Sequence, residues 1–158
     1  MKAVILVESL TGNTWKAAER VGNLLQQERW SITGLHRVRE PDHASIQEAD
    51  FVLVGTWVDG LFLVGQRPRG ASAIAALPIM RGKKSAVFCT FALRPGKTLE
   101  KLTRVVMGRG PDVIGGIAMN RAKLDEHTEV FVDRLLANLP PSMTSSSGVS
   151  SSPSLANG

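Results

Sequence analysis

The chain has 158 residues, of which 43% are hydrophobic and 21% charged, with a formal net charge of +5. That is about one domain's length with a core of useful size, and no apolar run is long enough to cross a bilayer, so neither a membrane span nor a membrane partner is expected. One cysteine, Cys89, excludes an internal disulfide framework and fits a reducing, cytoplasmic setting. His36, His43 and His127 show no ligand spacing with one another or with Cys89, so no metal site is expected.

Residues 2–7 form an almost wholly apolar strand, as buried parallel strands do. Glu8 ends the run with no small-residue cleavage site nearby, unlike a signal peptide. A loop rich in hydroxyls follows, and from about Asn13 to Arg29 the apolar residues Ala18, Val21, Leu24 and Leu25 recur with helical period. Residues 30–36 alternate as a strand at a sheet edge, and residues 45–49 make at most a short helical turn. Residues 51–55 form a third apolar strand. The irregular stretch 56–70 carries aromatic and apolar residues, among them 61–65, and long loops of this kind are usually functional or mobile.

A short helix is expected over 72–80, a fourth strand over 84–90 with an exit loop at 91–96, and a basic amphipathic helix over 97–107. A fifth strand spans 113–119 and a last helix 125–139, with Val130, Phe131, Leu135 and Leu136 facing inward. After Leu139 the composition turns to Ser and Pro without charge. The expectation is therefore a folded domain over 1–139 and a flexible tail over 140–158. Five apolar strands separated by helices define an α/β fold with a parallel sheet and right-handed crossovers. Its binding crevice lies at the carboxyl ends of the strands.

Charge is unevenly placed. Between positions 67 and 109 ten Lys/Arg accompany one acid, Glu100, while the rest of the chain carries nine against thirteen. Such a field steers acidic partners. The basic stretch lacks interleaved aromatics and any nucleic-acid motif, so nucleic acid is not an expected partner.

The chemistry is concentrated where the first strand ends. Hydroxyls from Ser9, Thr11 and Thr14, successive backbone N–H groups and a helix N-terminus converge on one point, an arrangement that favours phosphate. No Gly-Lys-Ser/Thr follows and Gly12 stands alone, so the loop is neither a Walker loop nor a dinucleotide fingerprint. A capped helix after a buried strand is the alternative. No nucleophile–base pair and no paired carboxylates accompany it, so no catalytic residue is assigned.

Ser9-Leu10-Thr11-Gly12-Asn13-Thr14, with Ala18 four positions on, resembles the phosphate-loop signature of flavodoxins. Thr56-Trp57-Val58-Asp59-Gly60 resembles the segment that follows their third strand. The likeness extends through the order of elements over about the first 138 residues. It implies a flavodoxin-like three-layer sandwich with a five-stranded parallel sheet of order 2-1-3-4-5. The cofactor it implies is FMN, its phosphate held by residues 9–14 and its ring system stacked on Trp57. Trp57 as a lid over the core is the competing role.

Thr90, Phe91 and Ala92 would then face the pyrimidine end of the flavin, with Phe91 either a second stacker or a core residue. The chain departs from the family in having no tyrosine and no acids in this third loop. Arg94, Arg67 and Arg69 would surround the flavin instead, stabilising its anionic two-electron-reduced form and raising the second reduction potential. The implied role is electron transfer between a reductase and an acceptor, with an acidic docking surface on the partner. An FMN-dependent NAD(P)H or quinone oxidoreductase and a flavin-free interaction module are the alternatives, and the sequence leaves the oligomeric state open.

Overall fold

Strands whose side chains are apolar on both faces must be covered on both faces, and the chain does this with helices. The computed structural model describes residues 1–59 and 67–144. The expectations for Gly60, for the 61–65 stretch and for the tail beyond 144 lie outside these residues. Five strands form the parallel sheet: β1 (Lys2–Val7), β2 (Ser31–Arg37), β3 (Phe51–Asp59), β5 (Lys84–Phe91) and β6 (Asp112–Asn120). Their spatial order is β2-β1-β3-β5-β6, the expected 2-1-3-4-5 once the two-residue β4 (Arg67–Pro68) is set aside. That small strand pairs antiparallel with the end of β3, a sheet-margin position that tolerates a proline without an N–H.

The alternation along each strand divides the core in two. Ile5, Val7, Phe51, Leu53, Phe88 and their neighbours face α1 (Asn13–Gln27) and α5 (Leu124–Ala137). Val4, Leu6, Val52, Val54 and Val87 face α2 (His43–Glu48), α3 (Ala71–Ala75) and α4 (Thr98–Met107). Gly55 leaves the room that Phe88 fills from the adjacent strand, since a Cβ there would lie 2.2 Å from the ring.

On the first face α1 and α5 are also cross-linked by charge. Arg20 donates to Thr128 Oγ1 at 2.9 Å and to Glu129 at 2.6 Å, with Asp125 at 3.3 Å. Of the four residues expected to face inward on α5, Phe131 and Leu135 are buried, while Val130 and Leu136 are half-buried. On the second face α2 is capped by Asp42, whose carboxylate accepts from Ser45 N and Ser45 Oγ.

Three elements differ from expectation. β3 continues four residues past Gly55, so Thr56, Trp57 and Val58 lie in a strand rather than a loop. β5 runs alongside, pairing Thr56 with Cys89 and Trp57 with Thr90, and Val58 meets Pro68 of β4. α3 stops at Ala75, short of the expected 80, because Pro78 disfavours helical geometry in the residue before it. The Ser/Pro-rich tail opens with one helical turn, α6 (Pro141–Thr144).

Candidate functional site

The exits of β1, β3 and β5 meet at the carboxyl edge of the sheet. β1 and β3 are adjacent and parallel, and their ladder continues one step beyond β1, where Glu8 N donates to Gly55 O at 2.9 Å. The chain then turns through residues 9–12. Ser9 Oγ accepts from Gly12 N at 3.2 Å, and Asn13 Nδ2 donates to Thr11 Oγ1 at 3.2 Å. Gly12 is in the left-handed region, φ 87°, where a glycine carries no steric penalty, and a Cβ there would meet nothing within 4 Å. The turn therefore opens on space at the start of α1.

No side chain among the described residues caps α1. The N–H groups of the first turn of a helix have no intrahelical acceptor. They therefore face that open turn beside the half-buried Ser9 and Asn13 and the exposed Thr11. Leu10, 72% exposed, stands at the outer rim. This donor set, built of N–H groups and hydroxyls at a helix N-terminus with no acid in the first turn, matches the chemistry of a phosphate monoester.

Thr14 behaves differently from the other loop hydroxyls. It is 1% exposed, and its Oγ1 lies 2.7 Å from Thr90 Oγ1. This bond spans 76 positions of sequence and ties the phosphate-type loop to the end of β5. Thr56 is also buried, and its Oγ1 donates to the Arg69 carbonyl at 2.7 Å. Three of the sequence-selected hydroxyls thus hold the scaffold together. Val58 is half-buried on β3, Phe91 is half-buried at the tip of β5, and Ala92 is exposed just past it.

Trp57 is half-buried on β3, in register with Thr90. The Arg69 guanidinium lies 5.3 Å from the centroid of its ring, a cation–π contact. Periodicity gave no sign of this, because Arg69 arrives through the β4 turn. Glu8 was equally unforeseen: it pairs with Arg39 at 3.0 Å, and Gly70 packs against its side chain. A residue just past β2 and the glycine before α3 thereby brace the base of the loop.

The basic stretch does not make one patch. β5 leads away from Lys84 toward the site, and α4 leads back, so the cations separate to opposite ends. At the far end Lys83 donates to the carbonyls of Gln47 and Ala49, and Lys84 pairs with Asp112. Arg69, Arg94 and Lys97 are exposed at the site end. Cys89 is buried on β5, and burial pushes its thiol up to about 12, which keeps it protonated and unreactive.

An open, doubly covered parallel sheet with a hydroxyl-lined turn at the first strand's exit defines the flavodoxin-like class of α/β proteins. A family model described as a flavodoxin domain matches residues 4–107, and the chain belongs to that family. Solved structures agree in fold. Flavodoxin from Streptococcus pneumonia TIGR4 is 21% identical, with a TM-score of 0.68 over 88% of this chain and 100% of that one. Oxidised flavodoxin 1 from Bacillus cereus is 18% identical, with a TM-score of 0.66 over 89% and 100%. Rubredoxin oxygen:oxidoreductase from Desulfovibrio gigas is 18% identical, with a TM-score of 0.62 over 87% of this chain and 36% of the larger one. Among curated proteins, none matches the chain.

Proposed function

We propose that the chain binds FMN and carries electrons between a reductase and an acceptor protein. The observation that carries this reading is the uncapped start of α1 behind Gly12, open to an anion and joined to the tip of β5 by the Thr14–Thr90 bond. Residues 9–14 would hold the phosphate through backbone N–H groups and the Ser9, Thr11, Asn13 and Thr14 side chains. Trp57 would present its ring to the isoalloxazine, with Thr90, Phe91 and Ala92 bordering the far end. Bound there, FMN supplies the one- and two-electron chemistry that the protein's own side chains lack.

The cations at the site end, Arg69, Arg94 and Lys97, support a partner with an acidic docking surface, reached faster at low salt than at high. A lone cysteine, buried and protonated, is compatible with a cytoplasmic setting.

The test is an FMN titration followed by quenching of flavin fluorescence, with wild type, Asn13→Ala and Trp57→Ala. Both variants should bind more weakly, and Trp57→Ala should also shift the visible flavin spectrum. A wild-type protein that leaves FMN fluorescence unquenched, or variants that bind as well as wild type, would end this assignment.

A further inference from the structure

A second concave site adjoins the loop on the side away from Trp57. It is a groove of about 630 Å³ between the exits of β1 and β2, bordered by Ser9, Gly12, Trp15, Lys16, Arg37 and Arg39. That volume falls in the range of small-molecule sites, about 300–1,000 Å³. It shares only Ser9, Leu10 and Gly12 with the proposed flavin site.

Each wall offers a different chemistry. Trp15 is half-buried, and its Nε1 donates to Glu19 Oε1 at 3.0 Å, which fixes the indole against the first turn of α1. Arg39 is paired with Glu8, so those two charges largely cancel. Lys16 and Arg37 are exposed, project into the same groove and make no ion pair among the described residues. An aromatic face, two uncommitted cations and a carboxylate are together more than a bare anion requires.

We propose that this groove binds an adenosine phosphate, with the base against Trp15, the phosphate on Lys16 and Arg37, and a ribose hydroxyl donating to Glu19. Arg is suited to the phosphate because its planar fork engages two oxygens at once. Two sources present this chemistry: a free nucleotide, or the adenylate half of a dinucleotide whose other phosphate occupies residues 9–14. As a free-nucleotide site the groove needs no flavin in the loop and stands or falls separately from the proposed function, whereas the dinucleotide source rests on that reading.

The test uses calorimetric titration of the full-length chain in two arms, with inorganic pyrophosphate as control. In the first, ADP is added to protein preincubated with saturating FMN, and also to protein without it. In the second, FAD and FMN are compared on flavin-free protein. A free-nucleotide site gives ADP binding that persists with FMN present. It weakens about tenfold in Arg37→Ala and in Lys16→Ala, the loss expected for one charge-assisted hydrogen bond. Trp15→Leu should weaken ADP but leave pyrophosphate unchanged.

A dinucleotide site gives FAD binding at least about tenfold tighter than FMN, an excess that Arg37→Ala removes. Arg37 and Lys16 are exposed and make no ion pair among the described residues, so their variants should fold and retain wild-type affinity for FMN. ADP that competes with FMN excludes the free-nucleotide source and leaves the FAD excess to decide. The proposal is overturned by the absence of both ADP binding and an FAD excess, by ADP competition without an FAD excess, or by pyrophosphate that binds as tightly as ADP. ADP binding sensitive to Arg37→Ala in a protein that never takes up FMN would uphold this inference while defeating the flavin assignment.

Discussion

The hydroxyl pair Thr14–Thr90 offers a quantitative test of how the site is assembled. The two side chains are 1% and 2% exposed, their oxygens are 2.7 Å apart, and either can donate. Valine has nearly the same shape without the hydroxyl. Thr14→Val strands the Thr90 hydroxyl in the interior, and Thr90→Val strands that of Thr14, at about 1–3 kcal/mol each. In the double variant both polar groups are gone and the packed volume is kept, so its cost should fall well below the sum, near that of one buried hydrogen bond, about 1 kcal/mol. Urea unfolding of the four proteins closes the cycle. The expected coupling is about 1–5 kcal/mol, and strict additivity, within about 0.3–0.5 kcal/mol, would refute a direct bond between the start of α1 and the end of β5. With Thr14 assigned to the phosphate as well, Thr14→Val should weaken FMN binding more than Thr90→Val does, and equal losses would confine Thr14 to the scaffold.

Gly55→Ala would drive a methyl to 2.2 Å from the Phe88 ring. It should destabilise by about 3 kcal/mol in chemical denaturation, and Phe88→Leu added to it should recover part of the loss. The Asp42 carboxyl is held below its usual 3.8, first by the Ser45 hydroxyl and then by the Ser45 N–H. Its contribution is therefore complete above that value and is lost as pH falls through the depressed one, so Asp42→Asn should flatten the acid limb of the Tm-against-pH curve below about pH 4. Cys89, buried with its thiol pushed to about 12, should resist thiol reagents at pH 8 until the protein is unfolded. Arg69→Gln should lower the second reduction potential of bound flavin by about 20–40 mV at low salt, a screened unit-charge effect of under 1 kcal/mol, and less at high salt. An unchanged potential would separate the Trp57 cation from the flavin.

Where structure follows from neighbours in sequence, the chain was readable. Apolar runs gave β1 and β5 almost to the residue, and the hydroxyls between Glu8 and Trp15 marked the turn because loop, glycine and helix start are contiguous. The extension of β3 through Trp57 was not visible, since its hydrogen-bonding partners sit at Thr90 and Pro68. The basic stretch misled in the opposite direction. Adjacency along the chain suggested one patch, but the reversal from β5 into α4 carries Lys83 and Lys84 away from Arg94 and Lys97. Pairs such as Glu8–Arg39, and the groove that joins α1 to the end of β2, exist only because a parallel crossover returns the chain beside its start.

The family match ends at Met107, yet the helix that begins at Asn13 rests on a partner that starts at Leu124. A fragment cut after Met107 would lose β6 and α5, bare one flank of Phe88 and leave Arg20 without Thr128, Glu129 or Asp125. The helix that opens at the proposed anion site is thus held through Arg20 by side chains more than a hundred positions downstream. Substitutions in that last helix should loosen ligand binding while touching no ligand.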